Sequence, residues 1–328
     1  MAILVTGGAG YIGSHAARTL RREGYEVVIY DNLSTGFRRL TEGFELVEGD
    51  IGDAAALKAV LGRVDAVMHF AAAAYVGESV ENPRKYFQNN GLSALQLLNA
   101  TLDAGIRRFI FSSTCAVYGV PDKVPITEKT PREPVNPYGA SKLFFENALE
   151  AYSRAYKLSS IRLRYFNASG ADESGEIGEL HNPETHLVPL ALEATTAKGR
   201  ELQIFGDDYP TADGTCIRDY IHVSDLADAH VRALQYLEKL PDEKRGDSLA
   251  LNLGSGRGNS VMEVMQAAEK ATGQPVRRKI GPRRPGDPPA LVADPAKAKS
   301  ILDWSAKRSL DEIMSSAWRW MQKGSSLK

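Results

Sequence analysis

Through the first 165 residues, short β-branched apolar runs alternate with longer stretches of helical period. Runs at 2–6, 26–30, 45–48, 65–69, 108–112 and 159–163 are predicted strands, and 11–23, 53–61, 83–104 and 137–156 are predicted helices. The strand runs are apolar with little alternation, the pattern of strands covered on both faces. Strand–helix alternation of this kind predicts an α/β fold, a Rossmann-type doubly wound parallel sheet. The third helix opens at Asn82-Pro83, a capping residue followed by a first-turn proline. Beyond Asn167 the pattern changes. Glycine, proline and acidic residues crowd 169–186, and predicted strands shrink to 202–205, 249–253 and 276–280. Helices recur at 187–198, 224–239, 260–271 and 309–322. The expected organisation is a first body over 1–166 and a smaller C-terminal α/β substrate-binding domain over 167–328. Segments near 220–260 are expected to return to the first body. The loop 283–289 is stiffened by its prolines, and the tail 324–328 is expected to fray.

Composition narrows the function. Across 328 residues, 40 Lys+Arg face 41 Asp+Glu, a formal net charge of −1. That balance removes the diffuse attraction that nucleic acid or an anionic membrane requires. No run approaches the roughly 18 apolar residues of a membrane span. The start of the chain enters an apolar strand at once, leaving no room for a secretory leader. Cys115 and Cys216 cannot build a disulfide framework, and the six histidines show no metal-ligand spacing. The expectation is a cytoplasmic, metal-free protein.

Chemistry enters at the first strand–helix turn. Thr6-Gly7-Gly8-Ala9-Gly10-Tyr11-Ile12-Gly13 contains Gly7-x-x-Gly10-x-x-Gly13 and also Gly8-x-Gly10-x-x-Gly13. Glycines there permit a tight turn, close approach of backbone amides to a pyrophosphate, and tight helix–strand packing. Asp31 ends the second strand, where a carboxylate accepts from ribose hydroxyls and repels a 2′-phosphate, so NAD is expected over NADP. Arg38 and Arg39 are the alternative, a 2′-phosphate site, against a plain solvated loop. Asp50-Ile51 offers a polar contact and an apolar wall for adenine. Tyr138 and Lys142 stand one helical turn apart on one face. A phenol is a weak base at its usual pKa of about 10, and a nearby ammonium together with the positive nicotinamide ring of NAD favours its ionised form. Ser113 or Thr114, ending the fifth strand, is placed to hydrogen-bond the same substrate hydroxyl.

With these motifs the chain resembles the extended short-chain dehydrogenase/reductases and, within them, the UDP-glucose 4-epimerases. The resemblance spans about residues 2 to 322. Its more diagnostic segments lie late in the chain: Leu163-Arg164-Tyr165-Phe166-Asn167, Phe205-Gly206-Asp207-Asp208-Tyr209, Arg218-Asp219-Tyr220-Ile221-His222 and Arg284-Pro285-Gly286-Asp287. The resemblance implies that Tyr138 takes the proton from the sugar 4-hydroxyl while hydride passes from C4 to NAD. A 4-keto sugar then turns over, and hydride returns to its other face. It implies cofactor contacts at Gly7, Gly10, Tyr11, Ile12, Gly13, Asp31, Asn32, Leu33, Ser34, Thr35, Gly36, Asp50, Ile51, Phe70, Ala71, Ala72, Ala74, Asn89, Thr114, Tyr138, Lys142 and Phe166. On the substrate side it implies Thr114 and Tyr138, with Asn167, His186, Leu187 and Gln203 on the nucleotide sugar and Phe205 against uracil. Arg218 and Arg284 would meet the diphosphate, and Asp287 a ribose hydroxyl. Leu291 matches a position whose bulk governs room around the sugar.

Two departures bear on detail. Ala74 stands where many members carry a lysine, and the stretch Tyr75 to Ser79 also resembles UDP-arabinose 4-epimerases. Hexose, N-acetylhexosamine and pentose therefore stay open. A nucleotide-sugar dehydratase would need acids after Thr114, where Cys115-Ala116 stands, and a noncatalytic NAD sensor would not need Tyr138 and Lys142. The resemblance further implies a homodimer through the helices at 83–104 and 137–156. Their apolar positions Leu92, Leu95, Leu98 and Leu102, with Leu143, Phe144, Leu149 and Tyr152, serve equally as internal core.

Overall fold

The computed structural model describes residues 1–284 and 286–324, so Pro285 and residues 325–328 of the expected tail lie outside the described residues. The chain begins β1 (Ala2–Thr6), α1 (Tyr11–Arg22), β2 (Glu26–Asp31), β3 (Glu45–Glu48), α2 (Ala54–Leu61) and β4 (Ala66–His69). Helices α3 (Val76–Glu81) and α4 (Pro83–Tyr86), a π-turn over Phe87–Ser93, and α5 (Ala94–Asp103) follow. Then come β5 (Arg108–Thr114), α6 (Pro137–Tyr156), β6 (Ser159–Tyr165), β7 (Asn167–Ser169) and α7 (Leu187–Thr195). Next are β8 (Leu202–Phe205), β9 (Ile217–His222), α8 (Val223–Glu238), β10 (Ser248–Leu253) and β11 (Gly258–Ser260). The remainder is α9 (Val261–Thr272), β12 (Arg278–Gly281), β13 (Ala290–Leu291), α10 (Ala296–Leu302) and α11 (Leu310–Gly324).

The main sheet is parallel, in the order β10-β6-β5-β4-β1-β2-β3. Alternation along β1 feeds two cores: Ile3 and Val5 pack with Leu20 of α1 and Leu226 and Leu234 of α8, while Leu4 packs with Leu57, Leu97, Phe145 and Leu149 on the other face. Strand order reverses at β1, between β2 and β4. Such a switch point opens a crevice beyond the carboxyl ends of the strands, where open α/β sheets take ligands. β10 joins the sheet beside β6, so the chain returns to the first body after β9.

Three elements differ from the sequence-based expectation. The helix expected over 83–104 widens into the π-turn around Asn90, whose side-chain amide accepts from the Ala73 N–H at 2.8 Å and donates to the Ala73 carbonyl at 2.9 Å. β9 was hidden by charge. Its Asp219 is fully buried, yet it accepts from the backbone of Ser255 (2.8 Å), Gly256 (3.1 Å) and Ala293 (3.2 Å), which offsets its desolvation. The strand expected at 276–280 runs instead from Arg278 to Gly281, pairing with β8. No helix among the described residues is long and apolar enough to cross a membrane.

Candidate active site

The glycine turn is built as its spacing implies. Gly7 has φ +73°, and a Cβ on it would stand 2.4 Å from the Ala71 nitrogen. A Cβ on Gly13 would stand 2.3 Å from the Gly7 carbonyl oxygen, so α1 reaches its closest approach to the loop there. Gly10 caps α1 with no side-chain hydrogen bond and no acid in the first turn, leaving a helix N-terminus suited to an anion. Asp31 is buried at the end of β2, accepting from the Ala9 N–H at 3.0 Å and the Leu33 N–H at 2.8 Å. Burial raises its pKa, and those two bonds act against the rise.

Tyr138 and Lys142 occupy the first turns of α6. Asn136 caps that helix by accepting from the Gly139 N–H at 2.9 Å, and Pro137 takes the first-turn position. A Cβ on Gly139 would lie 2.5 Å from the Ala116 carbonyl, which fixes α6 tightly on the turn after Thr114. The Lys142 ammonium donates to the Ser112 carbonyl at 2.9 Å and lies 4.9 Å from the centre of the Phe111 ring. Burial pushes the Tyr138 phenol up to about 12, opposed by its hydrogen bond with Thr114. Burial likewise holds Lys142 down at about 7, with Glu146 pulling the other way. Burial thus outweighs what the lysine alone offers the phenol, whose lowering was expected from the lysine together with the positive nicotinamide ring, because the ammonium engages a carbonyl.

One cleft of about 950 Å³ joins the glycine turn, Tyr138 and the cap. That is the top of the roughly 300–1,000 Å³ range of ligand pockets, room for more than one small ligand. Every predicted site residue lines it except Ser113, Leu33, Asp50, Gln203, Phe205 and Arg218. Ser113 is corrected outright: strand alternation sends Ser112 and Thr114 to the cleft and Ser113 to the opposite face, where its hydroxyl donates to Glu146 at 2.6 Å. Leu33 adopts φ 56° in the turn after Asp31, and Asp50 accepts from Asn32 at 2.8 Å and from the Gly52 N–H at 2.8 Å. Gln203 is exposed on β8 beside Gly281. Phe205 is covered by the Arg284 guanidinium, 3.8 Å above its ring. Arg218 pairs with Asp287 and donates to the Ile217 carbonyl at 2.7 Å. The expected pair of diphosphate arginines is thus engaged elsewhere: one cation on a ring, the other on a carboxylate.

Sequence reading named His186 but missed the cluster to which it belongs, having found no metal-ligand spacing among the histidines. Glu179, His181 and His186 of the cleft wall gather with Glu184 before α7, with one donor atom from each within 4.8 Å of the rest. Burial works against a charge on His186, but hydrogen bonds to Glu179 and Glu184 outweigh it and lift the ring to about 10. The spacing Glu-x-His-x-x-Glu-x-His was legible; it went unread because it follows a loop rather than a helix face.

Residues 3–254 match the NAD dependent epimerase/dehydratase family. A UDP-glucose 4-epimerase of Rhizobium leguminosarum bv. trifolii is 49% identical over 323 residues, covering 98% of this chain and 97% of that protein. The structure of a UDP-glucose-4-epimerase from Stenotrophomonas maltophila, with bound NAD and formylated UDP-arabinopyranose, superposes with a TM-score of 0.95 at 41% identity, covering 100% of both chains. A UDP-glucose 4-epimerase from Bifidobacterium longum, in complex with NAD+ and UDP, gives 0.93 at 39% identity, covering 99% of both chains.

Proposed function

The chain belongs to the NAD dependent epimerase/dehydratase family, and from this we infer its activity: it is an isomerase that inverts UDP-sugars at C4 with NAD, UDP-glucose and UDP-galactose forming the substrate pair. The observation that carries the reading is the single cleft with the glycine turn at one end, the cap loop at the other, and Tyr138, Thr114 and Lys142 between them. The residues fit NAD. Gly7 and Gly13 leave a cradle that a Cβ would fill, and Asp31 presents a buried carboxylate beside it. Bound NAD supplies a hydride acceptor for C4, a hydride donor for the keto-sugar, and a positive ring in its oxidised form.

The chain's own residues handle protons and position. Tyr138 takes the proton of the sugar 4-hydroxyl and returns it after the 4-keto sugar has turned. Thr114, hydrogen-bonded to that phenol, orients both hydroxyls. Lys142 stands in the same buried pocket, held down at about 7 by burial while Glu146 favours its charged form. Asn167, His186 and Leu187 face the sugar nucleotide, and Arg218 and Arg284 exchange Asp287 and Phe205 for diphosphate when substrate enters. Cys115 follows Thr114 and its thiol is pushed up to about 12 by burial, so no acid stands where a dehydratase needs one. We divide the chain into an NAD-binding body over 1–166 and a cap over 167–328, with α8 and β10 belonging to the body. Two free cysteines support a cytoplasmic setting.

The direct test offers UDP-glucose, UDP-galactose, their N-acetylated forms, UDP-xylose and UDP-arabinose without added NAD. Interconversion of the two hexoses is the expected result, and a 6-deoxy-4-keto product would replace this reading with a dehydratase. A pentose preference is the second reading, favoured by the stretch Tyr75 to Ser79 and by the arabinose nucleotide in the Stenotrophomonas protein. A homodimer is proposed through Phe87, Leu92 and Phe144, which stand exposed on neighbouring helical turns while Leu98 and Leu149 are core. Sedimentation at micromolar concentration should give twice the chain mass; a single chain mass would exclude the dimer.

A further inference from the structure

The cap loop holds chemistry that the proton transfers above do not use. Both imidazole Nδ1 atoms of the Glu179–His181–Glu184–His186 cluster point inward. His186 Nδ1 lies 2.9 Å from Glu179 Oε1 and 3.0 Å from Glu184 Oε1. His181 Nδ1 lies 3.2 Å from Glu179 Oε1 and 3.5 Å from Glu184 Oε2. A cation bound tetrahedrally by nitrogen and oxygen at about 2.0–2.1 Å sets its ligands about 3.3 Å apart. The nitrogen–oxygen spacings here, 2.9 to 3.5 Å, bracket that value, while the donor atoms as a whole spread to 4.8 Å, so the cluster must close on an ion as it binds.

A hydrogen-bonded quartet is the alternative, and His181 argues against it. Its buried Nδ1 lies 3.2 and 3.5 Å from two carboxylates that together raise its pKa, but in neither direction does it make a well-aligned hydrogen bond. The loop is also held in shape without any ion. The Trp320 indole donates to the Glu179 carbonyl at 2.9 Å, and Ala171 bridges Gly178 just upstream.

We propose that Glu179, His181, Glu184 and His186 form a binding site for a divalent transition metal of the zinc class. Two imidazoles and two carboxylates make a mixed nitrogen–oxygen donor set, which suits zinc or its neighbours better than magnesium or calcium. Four protein ligands make the site closed and structural. The ion would clamp the His186 end of a loop whose Glu179 end Trp320 already holds. It also cancels two carboxylate charges beside a pocket for anionic ligands. The proposal stands apart from the sugar chemistry, because metal uptake is read without turnover.

The test uses the full, tag-free chain, stripped with chelator and titrated with Co²⁺. One equivalent should bind, with the visible absorption of four-coordinate cobalt, and Zn²⁺ should displace it. In His181→Ala/Glu184→Gln, affinity should fall at least tenfold while circular dichroism stays unchanged. Glu179→Gln replaces that variant if it does not fold, with the same loss expected. Folded wild-type chain that takes up no cobalt at tens of micromolar overturns the site. So does uptake that is equally tight in the folded variants.

Discussion

A phenol desolvated at the start of a helix is a poor base until positive charge is brought beside it. Tyr138 is in that position: pushed up to about 12 by burial, it touches Thr114, while the nearest ammonium rests on the Ser112 carbonyl. Its hydroxyl is then needed for the reaction and dispensable for the fold. Replacing Tyr138 by Phe should lower kcat by about 10²–10⁴, the usual contribution of a positioned acid–base group. The variant's NAD content and melting temperature should match those of the parent. Near-normal turnover would mean that another group moves the proton. Ser113→Ala probes the opposite face of β5: it deprives the buried Glu146 of a 2.6 Å hydrogen bond and should cost about 1–2 kcal/mol of stability, with kcat little changed.

Elements carry the site because their packing leaves no slack at particular points. Gly13 is one, since any side chain there meets the Gly7 carbonyl at 2.3 Å. Gly13→Ala must push α1 off the loop, and overpacking of this kind costs about 1–3 kcal/mol. NAD retention should drop with the melting temperature; an unchanged holoprotein would show that the turn can yield. This turn was legible from sequence because glycine spacing and strand–helix order are local signals. The Tyr138/Lys142 pair was legible for the same reason. The face of Ser113 could have been read from the two-residue period of β5. The engagements of Arg218 and Arg284 could not, since Asp287 and Phe205 are brought to them by tertiary structure. β9 was lost because a buried aspartate resembles a surface one until Ser255, Gly256 and Ala293 are seen around it.

Over the whole molecule, four histidines are buried and held neutral. Burial lowers His15 and His230 to about 4 and His69 and His222 to about 3. In the unfolded chain each titrates near 6.5, so between those values the unfolded state binds more protons. A depressed folded pKa means that stability is full above about pH 6.5 and is lost as pH falls toward 4. Each histidine then withdraws about 1.4 kcal/mol by pH 5.5, against a typical total of about 5–15 kcal/mol. The urea midpoint should fall steeply between pH 7 and pH 5. A flat midpoint over that range would mean that these rings carry charge inside the fold.

The edge strand β10 has a practical consequence for anyone recombining relatives. It completes the first sheet with residues 248–253, which come after α7, β8 and β9 in the chain. A fragment ending at Tyr165 would lack the outer strand of its own sheet and leave β6 an unpaired edge open to other chains. Chimeras that join two parents once, near the middle, would mix strands of both parents within one ladder. To exchange sugar preference cleanly, the grafted material must leave the host at one point and rejoin it before β10, as an insert and not as a half.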